Sequence, residues 1–399
     1  MGAKTKKKNV ARISMREAAL KRKIRRHLHS LGFQKSRYGG FEAHGSDKDI
    51  IRAIHNQHRN GRVAANQKFI DEHLPKLIHH FASGHEVDPA RISPKLERIS
   101  SDTPQSDLFR LASLTWSVPV SNGFGRRLRY LVWDESNGKL IGLIAIGDPV
   151  YNLSVRDNLI GWDIHDRSQR LVNIMDAYVL GAVPPYNMLL GGKLVAALVR
   201  SRDIYDDFTK AYGGTTGIIS KKEKKARLLA VTTSSSLGRS SVYNRLKLGG
   251  VEYFKPIGYT GGWGHFHIPD GLFADLREYL RSIDHSYADH HRFGQGPNWR
   301  LRTTRAAFAA LGLKEDMLKH GIQREVFLCE LATNAATLLR KGKGRPNLSS
   351  LLSAKEVAAL AVARWVVPRG ERQPDYLAWK ANGIAALLKE QRAKIKLAA

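Results

Sequence analysis

Cysteine is nearly missing from this sequence: Cys329 is the single one in 399 residues. No intrachain disulfide can form, which fits a reducing cytoplasm. Long hydrophobic runs are missing too. None approaches the roughly 18 apolar residues of a membrane helix, so no membrane partner is expected. The basic N-terminus lacks a following apolar stretch, which argues against a secretory signal. Acidic residues are scarce. Lys and Arg number 65 against 36 Asp and Glu, a formal net charge of +29. Such an excess repels itself unless something anionic shares the surface. Nucleic acid, DNA or RNA, is the partner that fits, with affinity that falls steeply as salt rises. Solubility or nonspecific polyanion binding is the bland alternative.

What is present divides unevenly along the chain. Hydrophobic residues make up 42%, enough for a sizeable core and two or three domains. Residues 1–30 hold 11 Lys and Arg against one acid, Glu17, and residues 281–399 hold 21 basic against 10 acidic residues. Four blocks follow: a disordered basic arm over 1–10, a helical N-terminal region over 11–115, an α/β core over 116–280, and a basic helical C-terminal region over 281–399. In the first helix, Ser14–Leu31, Ser14 and Glu17 have capping-box spacing. Lys21, Arg22, Lys23, Arg25 and Arg26 make this helix a candidate for DNA grooves or RNA phosphates, or simply a solvated face.

The core is organised around Asn173–Leu198. Ile174–Val183 reads as a buried strand stopped by Pro184 and Pro185. Leu190, Gly191, Gly192 and Lys193 then lead into a helix over Lys193–Phe208. Strand, glycine turn and helix N-terminus make an anion cradle, or the glycines only let the helix pack closely. Upstream, RLRYLVWD and KLIGLIAIG flank a Ser-Asn-Gly turn, a hairpin signal. Downstream come a strand over Ala226–Thr232, a Ser/Thr loop, a short helix over Ser241–Leu246, and strands over Val251–Tyr259 and Phe266–Ile268.

This order resembles the GNAT-type acyltransferase fold. VPPYNMLLGGKLVAAL is similar to that family's pyrophosphate loop and helix, and SVYNRLKLGGVEYF to its tyrosine-bearing segment. The resemblance implies an α+β fold with a central mixed sheet. It makes Tyr243 a candidate acid, and acetyl-CoA a candidate cofactor at Leu190–Lys193. The usual Arg/Gln-x-x-Gly-x-Gly/Ala spacing is absent. A second resemblance runs along almost the whole chain. LVWDESNGKLIGLIAIGDPVYNL, MDAYVLGAVPPYNMLLGGKLVAAL, YFKPIGYTGGWGHFHI and GQGPNWRLRTTRAAFAALGL are similar to the DruA family of the bacterial Druantia anti-phage defence system and of mobile elements. That implies a DNA-directed role beside other defence-system or mobile-element proteins, and transfers no catalytic residue.

Polar clusters supply further candidates. Asp148, Asp157, Asp163, Asp166 and Asp176, with His165, crowd the core strands. Acids at strand ends can hold Mg²⁺ for phosphodiester chemistry, or can balance nearby arginines. Thr232–Ser240 with Arg239 can bind phosphate or merely form turns. In GYTGGWGHFHIP, Trp263 can stack on a base, and His265 and His267 share a strand face. DHSYADHH matches no zinc spacing. Beyond Gly294, Trp299, Arg300, Arg302 and Arg305 combine an aromatic with cations, and Thr304–Lys319 reads as two helices about a glycine turn, compatible with a helix-turn-helix. Two functions are open: a nucleic-acid-binding protein without chemistry of its own, and an enzyme that acylates or cleaves DNA.

Overall fold

The computed structural model describes residues 2–30, 33–35, 41–43, 48–118, 120–121, 123–216, 223–265, 268–289, 299–318 and 321–389. These fall into two compact units, one within 1–61 and 261–324, the other within 62–260 and 325–391. The division cuts across the four expected blocks, because part of the C-terminal region belongs to each unit.

The first unit is helical. Its helix α1 spans Gly2–Ser30 and takes in the lysine arm, so it does not start at Ser14. No glycine or proline interrupts residues 3–30, and Lys, Arg, Ala and Leu are all good helix formers. Leu20, Ile24 and Leu28, four residues apart, are buried. Around the same helix, Glu17 accepts from the Tyr279 hydroxyl at 2.9 Å, Lys23 pairs with Asp275, and Arg16 lies 3.7 Å from Glu278. All three partners stand on the helix Asp270–Ser282. Its own Phe273, Leu276 and Leu280 are buried, as is Phe308 of the helix Trp299–Ala310. A single 3₁₀ turn, Glu315–Leu318, stands where the second helix of a helix-turn-helix was expected.

The second unit is built on a seven-stranded mixed sheet, in keeping with the α+β class. Its strands are β1 (Pro94–Arg98), β2 (Arg127–Asp134), β3 (Lys139–Gly147), β4 (Ile174–Ala182), β5 (Ala230–Ser234), β6 (Lys255–Tyr259) and β7 (Glu325–Glu330). The spatial order is β6-β7-β5-β4-β3-β2-β1. Every neighbouring pair is antiparallel except β4 and β5, which run parallel. The expected hairpin is β2–β3. Strand β7 lies within the C-terminal region expected to be helical. Its five leading residues are all buried, and a short apolar run fits helix or strand until its neighbours are known.

Pairing between β4 and β5 is brief: Ile174 with Ala230, Met175 with Val231, and Asp176 with Thr232. On its other side β4 stays paired with β3 as far as Ala182, with a register shift at Tyr178. Past Asp176, therefore, the two parallel strands part while β4 remains held. The crossover between them carries α2 (Gly191–Leu198), whose Leu194, Val195 and Leu198 are buried, and α3 (Ala354–Ala361) packs on it. Ser353 and Glu356 cap α3 as a reciprocal capping box, as their spacing predicts.

Several boundaries moved. The helix expected over Lys193–Phe208 is two helices, because the Ser201 side chain accepts from the Ile204 N–H and starts a second one, Arg202–Tyr212. Ser154–Ile160 is a helix, stopped by left-handed Gly161. Ser241–Arg245 is a turn rather than a helix. Within the C-terminal region expected to be helical, Pro374–Ala378 and Gly383–Leu387 are short helical pieces. Phe266 and His267 lie outside the described residues.

Candidate functional site

Asp176 sits on the last β4–β5 pair before the strands part. The Thr232 hydroxyl donates to its Oδ1 at 2.7 Å. Burial pushes the carboxyl up to about 6, against the opposing pull of the Thr232 hydrogen bond and the Arg156 charge. The next residue on β5, Thr233, donates to the Ala177 carbonyl at 2.9 Å. Tyr243 comes to the same place from the turn after β5. Its ring lies 5.3 Å from the rings of both Phe254 and Phe327. Its hydroxyl meets the Thr233 side chain, and burial, with Asp176 nearby, pushes the phenol up to about 12. Both Asp176 and Tyr243 keep partial exposure. The fold thus joins two candidates that the sequence placed in different chemistries. A carboxyl near neutrality and a protonated phenol are a proton acceptor and a proton donor.

The other acids of the cluster are committed elsewhere. Asp148 pairs with Arg126 at 2.7 Å, Asp157 with Arg156 at 2.7 Å and Arg167 at 3.0 Å, and Asp166 with Arg170 at 2.8 Å. Asp163 and His165 are not on a strand. They open the helix Ile164–Arg170, where Asp163 is the N-cap and accepts from the Asp166 N–H at 2.7 Å. That backbone bond holds the exposed Asp163 carboxyl below its ordinary range. Among the described residues, no group of three His, Cys, Asp or Glu is placed to hold a metal ion. A two-metal arrangement around Asp163, His165 and Asp176 therefore lacks the donors it needs.

At the expected cradle, Leu190 is the left-handed N-cap of α2. A Cβ on Gly191 would meet the Tyr186 carbonyl oxygen at 2.5 Å and the Ala182 Cβ at 3.1 Å, so this glycine serves close packing. A Cβ on Gly192 would only touch Val242 at 3.8 Å. Lys193 reaches the tyrosine turn, where Nζ donates to the carbonyls of Val242 and Asn244, each at 3.1 Å. The Ser/Thr loop is a turn cluster. The Ser240 hydroxyl accepts from the Val242 and Tyr243 N–H groups at 3.1 and 3.2 Å, and Glu325 accepts from the Ser240 N–H at 3.2 Å.

The basic candidates divide by environment. On α1, Arg22, Arg25 and Arg26 are exposed, Lys21 is partly exposed, and Lys23 is held by Asp275. Arg239 is exposed on the loop after β5. Arg300 pairs with Asp270 and donates to the Ile268 carbonyl at 2.6 Å, while its guanidinium lies 4.5 Å from the Phe273 ring centre. Trp299 meets Phe273 edge-on at 5.1 Å, and Arg302 is partly exposed. Arg305 pairs with Glu315 at 2.7 Å and lies 5.6 Å from the Trp263 ring centre, a ring that is 40% exposed. Arg300, Trp299 and Arg305 thus help to build the helical unit. His265 is pushed down to about 4 by burial, with Arg300 and His58 adding to it. Of DHSYADHH, Asp289 bridges Arg277 and Arg281 at 2.7 and 2.6 Å, and His290 and His291 lie outside the described residues. Sequence reasoning missed Thr232 as the partner of Asp176. The parallel pairing that joins them spans 56 residues of chain and has no local signal.

These features define a two-unit α+β protein with a strongly basic helical unit and a carboxyl–phenol site in its sheet unit. No described helix is long and apolar enough to cross a membrane. Residues 45–341 match the family model for the Druantia protein DruA. The Druantia protein DruA of Escherichia coli (strain UMEA 4076-1) is 68% identical over 375 residues, which cover 94% of this chain and 93% of that protein. No solved structure matches. The chain belongs to the DruA family, whose members are proteins of the Druantia anti-phage defence system.

Proposed function

We propose that this protein serves anti-phage defence by binding nucleic acid, DNA ahead of RNA, through the basic face of α1. The observation that carries this reading is the arrangement of Arg22, Arg25 and Arg26. They are exposed on the side of the helix away from Leu20, Ile24 and Leu28, and no described carboxylate pairs with them. Side-chain bonds from Glu17 and Lys23 to neighbouring residues of the same unit fix the rotation of the helix, so the arginines form a standing surface. A helix of this kind suits phosphate backbones and grooves. Other components of the defence system, or mobile-element proteins, are the natural protein partners of such a role. Binding of labelled single-stranded DNA, duplex DNA and RNA across a salt series tests it. A steep loss of DNA affinity with salt is the expected result, and absence of binding to all three overturns it.

A second reading, an enzyme that modifies DNA, is favoured by the Asp176–Thr232–Tyr243 arrangement. The order hairpin, strand, turn, helix and parallel strand supports the acyltransferase-like version. The packing role of Gly191 weighs against a phosphate cradle at the turn backbone itself. The metal-nuclease version finds no donor set among the described residues. In this reading Asp176 accepts a proton from the reacting group and Tyr243 donates one. Oligonucleotide recovered after incubation with acetyl-CoA, and separately with Mg²⁺, tests it. Unmodified, uncut strands under both conditions leave DNA binding as the function.

A further inference from the structure

We infer that the sheet unit carries a phosphate-binding site of its own, formed by Lys193, Arg245 and Arg364. It is independent of the basic face of α1. Lys193 is anchored by two carbonyls, Val242 and Asn244, each 3.1 Å from Nζ. An ammonium has three donors, so those bonds leave one N–H to offer. The same Nζ lies 5.8 Å from the centre of the Trp365 ring. Its two neighbours in space are thus Asn244, followed in sequence by Arg245, and Trp365, preceded by Arg364. Both arginines are exposed.

Both guanidinium groups lie within electrostatic reach of the Lys193 ammonium. Burial comes first, and the charges of Arg245 and Arg364 add to it, in holding the Lys193 ammonium below its ordinary range. No described carboxylate lies within ion-pair distance of any of them. Elsewhere in this unit the crowded arginines are matched: Arg126 with Asp148, Arg156 and Arg167 with Asp157, and Arg170 with Asp166. An unmatched convergence of like charges is unfavourable until an anion joins it.

The backbone that presents these side chains is also unusual. Arg245 has φ 59°, a left-handed conformation that non-glycine residues rarely adopt. Arg364 lies in a π-helical turn, Val362–Val366, that follows α3. Such turns occur frequently at functional sites, and strained residues persist where surrounding structure enforces them. The ligand that fits is a phosphate group. It can belong to a nucleic-acid backbone or to a free nucleotide, and the two sources separate experimentally.

The test uses the full chain and the double variant Arg245→Gln, Arg364→Gln, with inorganic pyrophosphate and a DNA duplex as probes. Pyrophosphate is expected to raise the melting temperature of the native protein in a concentration-dependent way, and to do so weakly or not at all for the double variant. If the phosphates are those of DNA, the variant also lowers the slope of log affinity against log salt by about 1.8, at about 0.9 for each phosphate no longer neutralised. A native protein that pyrophosphate stabilises, with that stabilisation lost in the variant but the salt slope unchanged, assigns the site to a free nucleotide. Native protein that pyrophosphate does not stabilise, or a variant stabilised as much as native, overturns the inference. The variant Arg22→Gln, Arg25→Gln, Arg26→Gln should keep full pyrophosphate stabilisation, so failure of the α1 reading remains distinguishable from failure of this one.

Discussion

Replacing Asp176 by Asn should stabilise the protein at alkaline pH. The Asp176 carboxyl is raised from an ordinary 3.8 to about 6 in the folded chain, chiefly by burial. A raised carboxyl pKa means the fold prefers the protonated form. Its contribution to stability is complete below about pH 4 and is lost as pH rises through about 6. Each tenfold difference in proton affinity is worth about 1.36 kcal/mol, so the loss amounts to roughly 3 kcal/mol at pH 8 and about half of that at pH 5. Asn keeps the shape and an acceptor for the Thr232 hydroxyl but never ionises. Its weaker hydrogen bond gives back about 1 kcal/mol. The expected net gain is therefore about 2 kcal/mol at pH 8 and only about 0.5 kcal/mol at pH 5, measured as urea midpoints with an unchanged slope. A variant less stable than native at pH 8, or a gain of equal size at both pH values, would refute the reasoning. A native chain that retains a destabilising carboxyl fits a group kept for function, and the same variant should abolish any chemistry at this site.

Three further outcomes follow from the structure. Changing Arg22, Arg25 and Arg26 together to Gln should lower the salt slope of duplex binding by about 2.7. Because these side chains are exposed, the melting temperature should stay nearly unchanged. Tyr186→Phe removes a hydroxyl that donates to the buried Asp134 at 2.9 Å and accepts from Asn137 at 2.9 Å. Denaturant unfolding should register a loss of about 1–3 kcal/mol from the under-satisfied carboxylate. Gly191→Ala puts a methyl 2.5 Å from the Tyr186 carbonyl oxygen. The start of α2 must then shift, and a loss of about 1–3 kcal/mol is expected in the same measurement. If Gly191→Ala is neutral for stability but weakens pyrophosphate stabilisation, the glycine serves a ligand rather than packing.

The sequence by itself determined the elements whose cause is local. The β2–β3 hairpin follows from alternating apolar runs about a Ser-Asn-Gly turn, and the cap of α3 from Ser353 and Glu356 three residues apart. The apolar strand β4 is equally local, as is the unbalanced positive charge. Tertiary structure decided what depends on distant residues. Glu325–Glu330 reads as part of a helix until β5 and β6 flank it, because a short buried run has no periodicity of its own. The five aspartates look equivalent in sequence. Only the fold assigns four of them to arginines or a helix cap and leaves Asp176 facing a threonine 56 residues away. Tyr243 reached that place because β4 and β5 part after a single shared stretch, and Lys193, Arg245 and Arg364 converge only because α2, the tyrosine turn and the segment after α3 pack together. Pairing across the sheet and packing between helices create these juxtapositions, and neither leaves a trace within a short window of sequence.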